Sequence, residues 1–338
     1  MKKLIYLIVV IVALGLIVSG CIPTAPPAGQ DELGTLPTKS PGVLNVPNDY
    51  PTIQKAIDAA SNGDKIIVGP GEWFGAVVDK AVEIRGAGGA VIVDGPERLP
   101  DVKLGFRVTT DGVTISHFTF EVALPVYTYG GEDKVNDVTV EHNVMINPVQ
   151  GITNWGGSRW VIRYNIITGL WGYPTGGGIG ILVGGALIDP VDPARDNLVA
   201  FNKITADFNG QLGHSFAGIC LYTKRGEITG NKVVHNDVLI TGNDTYAIVM
   251  AFLPSTMATP PGICPEDVLN DNKIGFNDLR GSNVGIGYIL EKPDGLVYKP
   301  VPVDEARELM ESCNLISRNL GDNRAYDGIP ACEFRPFE

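Results

Sequence analysis

Two groups of side chains in the middle of this 338-residue chain could do chemistry. One is ionic: Asp207, His214, Lys224, Arg225, His235 and Asp237. A base in such a group could take the proton beside a uronate carboxylate while a cation or metal holds that carboxylate, which is what β-elimination requires. Two carboxylates at a suitable gap would instead serve glycoside hydrolysis. Asp207 and Asp237 supply that pair only if their segments adjoin. The other group is aromatic: Trp155, Trp160, Trp171 and Tyr173 fall within nineteen residues. Flat rings stack on the C–H faces of sugars, so Trp155, Trp171 and Tyr173 are candidate substrate-binding residues. Trp155 and Trp171 stand beside glycines and are expected to be exposed. Each group has a plainer reading, rings packed as padding and ions on a solvated face.

Weaker candidates follow. Asp189, Asp192 and Asp196 make an oxygen-rich loop of the kind that can bind Ca²⁺, although no EF-hand spacing is present and a solvated loop is the rival. No other cofactor is evident. His117 and His142 occupy the same slot of neighbouring repeats and are expected to stack, as packing at the surface rather than as a metal pair. Nothing supports a Ser/His/Asp triad or a phosphate loop.

These residues are positioned by a phrase that returns: apolar, two residues, Asn, one residue, apolar. It appears around Asn143, Asn165, Asn202, Asn231 and Asn277, partially at Asn319, and with Phe118 in the Asn slot upstream. The steps between these asparagines are 22, 37, 29, 46 and 42 residues. That pattern describes one turn of about 22 residues with insertions, hence a solenoid whose units must stack to bury their apolar faces. The long inserts, at 121–136, 149–160, 169–197, 205–218, 235–246 and 252–270, are where loops would wall a groove. Composition agrees: 44% hydrophobic, 19% charged, with 42 Gly and 24 Pro for many tight turns. A formal net charge of −12 and the lack of a basic run argue against a nucleic-acid partner.

The ends speak of location. Lys2 and Lys3 precede an apolar run from Leu4 to Val18, the order of an export signal. Ile17-Val18-Ser19-Gly20-Cys21 resembles the lipobox of prokaryotic lipoproteins, which implies lipidation of Cys21 and a body held on the outer face of a membrane. An uncleaved membrane anchor is the alternative. Residues 21–42 are rich in proline and read as a tether. Beyond Cys21, the cysteines are Cys220, Cys264, Cys313 and Cys332. In an oxidising compartment one bridge among the last three is expected, with Cys220 a buried thiol.

Between the tether and the repeats, Ile53, Ala56, Ile57 and Ala60 mark one face of a short helix, followed by strands at Lys65–Val68 and Val82–Gly86. The string TIQKAIDAASNGDKIIVGPGEW, then VEIRGAGG, resembles the N-terminal cap and first coil of right-handed parallel β-helix proteins. These are the pectate-lyase and pectin-methylesterase-like superfamily and the NosD-like repeat proteins. The resemblance runs over 43–290. It implies an all-β solenoid, a single-stranded right-handed parallel β-helix of three-sheet coils with a helical N-terminal plug. Residues 291–338 would form an irregular, partly helical C-terminal cap, with a helix over 303–310. In such coils an inward Asn at a bend can hydrogen-bond the Asn of the next coil and adopt the left-handed backbone the bend needs.

Gly213-His214-Ser215 resembles the Gly-His segment of polygalacturonases without the paired-Asp motif that accompanies it, and the Arg-x-Pro-x-x-Arg signature of pectate lyases does not occur. The expected function is therefore binding of an extracellular polysaccharide or cell-envelope glycan. Cleavage as a polysaccharide lyase or glycoside hydrolase remains open. The rival is a noncatalytic cell-envelope or protein-interaction protein.

Overall fold

In the computed structural model, described over residues 41–95, 98–99, 102–129, 134–173, 176–185, 193–209, 216–254, 262–295 and 297–321, successive short strands stack in parallel. The chain divides after Ser40 into two units, and these residues all belong to the second. Among them no helix is long and apolar enough to cross a membrane. Cys21 and the expected export signal lie outside the described residues.

Three parallel sheets form the sides of the coil. Sheet A has ten strands, from Val43–Val46 to Leu315–Ser317, and sheet B has seven, from Gly71–Phe74 to Asp237–Thr241. Sheet C begins at Val77–Val78 and ends in an antiparallel hairpin of Val284–Asp294 with Val297–Pro300. The fold is a parallel β-helix, as the repeat implied. Sheet A shows why the sequence folds this way. Its strands alternate between inward and outward residues. Register places these inward residues in one file, among them Ile66, Ile84, Ile115, Val140, Ile162, Val199, Val233 and Ile274. All are at most 1% exposed, and this file is the interior of the solenoid.

Helix α1 (Ile53–Ala59) closes the N-terminal end. Thr52 caps it, its hydroxyl accepting from the Lys55 amide at 3.1 Å. Ile53, Ala56 and Ile57 are fully buried, so the face read from the sequence is the plug. Gln54 replaces a missing rung: its side chain accepts from the Val77 amide at 3.0 Å and donates to the Val77 carbonyl at 3.3 Å. This satisfies the first strand of sheet C, which would otherwise be an open edge. Helix α2 (Pro265–Val268) is a single turn, and α3 (Val303–Cys313) buries Ala306 and Met310. The helix expected over 303–310 is thus present and longer. After it, Leu315–Ser317 joins sheet A beside Lys273–Gly275. Residues 291–314 are therefore an insertion within the last coil, and the stack continues past 290.

The asparagines form two ladders, not one. The first runs Asn143, Asn165, Asn202, Asn236, Asn277 and Asn319, with side-chain bonds of 2.9–3.1 Å. The second runs Asn197, Asn231, Asn272 and Asn314 at 2.8–3.0 Å. They flank sheet A, one after each strand and one before it. Asn231, assigned to the first ladder from sequence, belongs to the second. The phrase fits both frames, Ile228-x-x-Asn231-x-Val233 and Val233-x-x-Asn236-x-Val238, and the true steps are 22, 37, 34, 41 and 42. Each rung is saturated. The Asn165 amide nitrogen donates to Asn202 Oδ1 at 3.0 Å and to the Val140 carbonyl at 2.9 Å, while the Asn165 backbone N–H donates to the same oxygen.

Replacing Asn202 by Leu strips the acceptor from two buried donors of Asn165 and removes the side-chain donor to the Ile162 carbonyl. A loss of about 3 kcal/mol or more is expected. Chemical denaturation of Asn202→Leu against the parent measures it, and an unchanged midpoint would contradict the ladder.

Candidate functional site

The aromatic residues separate by side of the coil. Gln150–Trp155 is a strand of sheet C, not part of a loop insert, and all six of its residues are buried. A strand covered on both faces loses the alternation that marks a half-buried one, so Gly-Ile-Thr-Asn-Trp-Gly-Gly reads as a loop. Trp155 is consequently 2% exposed, which overturns its expected place on a sugar platform. Its ring meets Tyr222 edge-on at 5.7 Å within an apolar cluster that includes Leu182, Cys220 and Val249. The space comes from Gly184 on the next strand, where a Cβ would sit 2.3 Å from the ring. Trp160 is in the interior, its indole N–H donating to the Val135 carbonyl at 2.8 Å.

Trp171 is different. It is 37% exposed and stands at the corner where sheet B passes into sheet C. Asn147, in the left-handed conformation at φ 51°, presents its carbonyl to the indole N–H at 2.8 Å. That bond fixes one edge of the ring. The ring lines an open cleft of about 460 Å³ with Lys103, Glu121, Ile146 and Asn147. Four successive coils contribute: Lys103 lies on the strand Val102–Val108, Glu121 precedes the strand Leu124–Tyr127, Asn147 the strand Gln150–Trp155, and Trp171 the short antiparallel pair Gly172–Tyr173 and Gly176–Gly177. Tyr173 thus lies beside Trp171 in the chain, in a two-residue strand.

The ionic group does not converge. Asp207 and Asp237 are on adjacent strands of sheet B, as the hydrolase reading required, but register pairs Asp237 with Lys203 and Asp207 with Thr241. The two carboxylates stand at opposite ends of the pair, roughly 13 Å apart along the strands. A hydrolase pair needs roughly 5–9.5 Å. Asp207 accepts from the backbone N–H of Asn209 at 3.1 Å, from the Asn209 amide at 2.7 Å and from Thr241 at 2.9 Å. These bonds, the Asn209 backbone first, hold its carboxyl below the usual range, which makes it a weak base. Asp237 pairs with Lys203 at 3.3 Å. Lys224 and Arg225 follow the strand Phe216–Thr223, at the far end of sheet C from the corner that Asp207 faces.

Asp196 is exposed in a left-handed corner before Asn197, and among the described residues no three His, Cys, Asp or Glu side chains gather to hold a metal. His214, Asp189 and Asp192 lie outside the described residues. Cys220, Cys264 and Cys313 are free thiols, so the expected bridge does not join Cys264 to Cys313. Cys332 lies outside the described residues.

Sequence reasoning found two members of a longer array. His117 and His142 do stack, with ring centres 5.1 Å apart. The column continues through Tyr164, Phe201, His235 and Phe276 at 5.0–5.2 Å per step. Arg318 ends it, its guanidinium 5.3 Å from the Phe276 ring centre. Every one of these residues is left-handed, at φ 55–63°, and immediately precedes a residue of the first asparagine-ladder file. The signal was present: in the first ladder the residue before each Asn from Asn143 to Asn277 is a ring. His117 is pushed below the ordinary imidazole range, by burial first, then by Arg85 and His142, against Glu141 and Glu83. In an NMR titration its midpoint is expected below that of a free imidazole, and Arg85→Gln is expected to raise it. A midpoint insensitive to Arg85 would refute that arrangement.

No protein-family model matches the chain, and no curated protein does. Among solved structures it is similar to a pectin methylesterase in complex with a hexasaccharide, at TM-score 0.51 and 10% identity over 84% of this chain and 90% of that one. It is also similar to a tailspike protein of E. coli bacteriophage HK620 in complex with a pentasaccharide (TM-score 0.46, 10% identity, 84% of this chain and 46% of that one). A third likeness is to an alginate lyase from Paenibacillus sp. str. FPU-7 (TM-score 0.38, 15% identity, 80% and 95%). The first of these likenesses establishes the parallel β-helix architecture and leaves the chemistry to the site.

Proposed function

We propose that this chain is a glycan-binding protein, held outside the cytoplasm by lipidated Cys21, that grips polysaccharide at the Trp171 cleft without cleaving it. The observation that carries the reading is Trp171 itself. Its partly exposed ring is braced by an edge-on hydrogen bond and lines an open cleft that also offers Lys103 and Glu121. An apolar ring face with a few polar groups around it is the chemistry that sugar C–H faces and hydroxyls require. The separation of Asp207 from Asp237, and the hydrogen bonds already satisfying Asp207, favour binding over hydrolysis or elimination. The lipobox-like segment supports the surface location. The similar fold of a pectin methylesterase in complex with a hexasaccharide is consistent with a glycan ligand.

A glycan array probed with the full chain, together with a reducing-sugar assay, tests this. Binding without product is expected, and Trp171→Ala is expected to weaken it about tenfold, or ~1.4 kcal/mol. Binding unaffected by Trp171→Ala would remove the cleft from the account. No binding to any glycan would leave the structural or protein-interaction role standing.

A further inference from the structure

The outer face of sheet A carries a charge opposite to that of the whole chain. Its outward-facing charged residues are Lys65, Arg85, Arg163, Lys232 and Lys273 against Glu83 and Glu141. The chain as a whole is at −12. Both carboxylates are engaged, Glu83 with Lys65 at 2.9 Å and Glu141 with Arg163 at 2.7 Å. Arg85, Lys232 and Lys273 have no carboxylate partner among the described residues. Lys273 Nζ instead lies 5.7 Å from the Phe276 ring centre, and Arg318 covers the same ring.

We propose that this face is a second binding site, a strip for an acidic polysaccharide running along the solenoid axis. The inference rests on the reading that the ligand is a glycan, and it adds the charge and the surface. Geometry selects the occupant. The strands from Glu83–Gly86 to Lys273–Gly275 span six steps of sheet A, roughly 30 Å. Across the strip only two outward side chains fit, roughly 7 Å. A file so long and narrow matches one extended polyanion, whereas an anionic membrane would meet a plane. The aromatic column borders the strip at the corner with sheet B. Its faces are consumed by mutual stacking, with neighbouring planes within 4–28° of parallel. It therefore offers only edges: imidazole nitrogens from His117, His142 and His235, and the Tyr164 hydroxyl. Those groups can hydrogen-bond carboxylates and hydroxyls of a chain lying beside them. The Trp171 cleft, at a different corner, presents a ring that is not stacked in this column.

The test uses the full chain reconstituted in phosphatidylcholine nanodiscs and immobilised on a biosensor. Hyaluronan serves as the acidic probe, dextran as the neutral one, and phosphatidylglycerol vesicles as the lipid one. Hyaluronan is expected to bind with an affinity that falls as salt rises. The double variant Lys232→Gln with Lys273→Gln is expected to weaken it about tenfold. Arg85→Gln, at the other end of the strip, gives an independent arm should the double variant misfold. Neither change is expected to alter binding of neutral glycan at the cleft, and Trp171→Ala is expected to leave the salt-dependent hyaluronan signal. Hyaluronan binding unchanged in both charge variants overturns the strip while leaving the cleft intact. Binding to phosphatidylglycerol vesicles but not hyaluronan, lost in the same variants, overturns it in favour of a lipid surface. Loss of all glycan binding by the parent chain overturns the cleft reading as well.

Discussion

Parallel stacking in register sets one requirement on every buried position: what lies inside one coil has its counterpart directly above and below. For apolar residues this is easily met, and the Ile and Val file of sheet A meets it. For a polar residue it is demanding, because a buried amide without partners costs several times what a satisfied one contributes. Asparagine solves the problem only by repetition. Its oxygen accepts twice from the coil before, and its nitrogen donates to the coil after and to a backbone carbonyl. The ladder therefore cannot be interrupted cheaply, and both ladders run unbroken once begun. The second begins where Asn197 follows Trp160 in the stack, the Trp160 amide donating to Asn197 Oδ1 at 2.8 Å.

The bends beside those ladders carry a second constraint. Each needs a left-handed residue, a conformation that glycine, asparagine and aspartate adopt most readily. The corner before sheet A largely follows that rule, with Gly112, Asp137, Asp196, Gly230 and Asp271, and Arg159 bonded to Asp137 by two hydrogen bonds. The corner after it does not. Six rings in sequence occupy it, each at a backbone cost that a glycine would avoid. Stacking at 5 Å gives back part of that cost, of the order of 0.5–1.5 kcal/mol per pair. The compensation exists only if neighbouring coils also place a ring there, so the column, like the ladder, is collective. Strain kept over so many coils is the kind that marks a surface with a role.

What could be read from the chain follows from the same periodicity. The solenoid, the plug helix and the helix after residue 302 were legible because each repeats a pattern or carries a local signal. The assignment of Asn231 failed because two ladders share one phrase, and only the five-residue spacing of Asn231 and Asn236, repeated at Asn272 and Asn277, separates them. Trp155 misled for another reason. Glycines beside a ring suggest an exposed turn, yet here Gly184 on the following strand makes room for the ring to be covered. No local feature of the chain reports that the outer face of sheet C is itself buried. Trp171, set next to glycine in the same way, is partly exposed because its strand of sheet B has already ended.

The site residues proposed from sequence failed to meet for a reason internal to this architecture. In a solenoid, residues meet only if they share a column or an adjacent one. Distance along the chain is irrelevant, and position within the coil decides everything. Asp207 ends a strand of sheet B, Asp237 begins one, His235 occupies the corner before it, and Lys224 and Arg225 follow sheet C, so four different columns hold them. Charges that do share a face, Arg85 and Arg163 in one column and Lys232 and Lys273 in the next, are scattered over almost two hundred residues. A surface of this kind suits the linear partner proposed for it. Its cations lie along one axis, separated by whole numbers of strands.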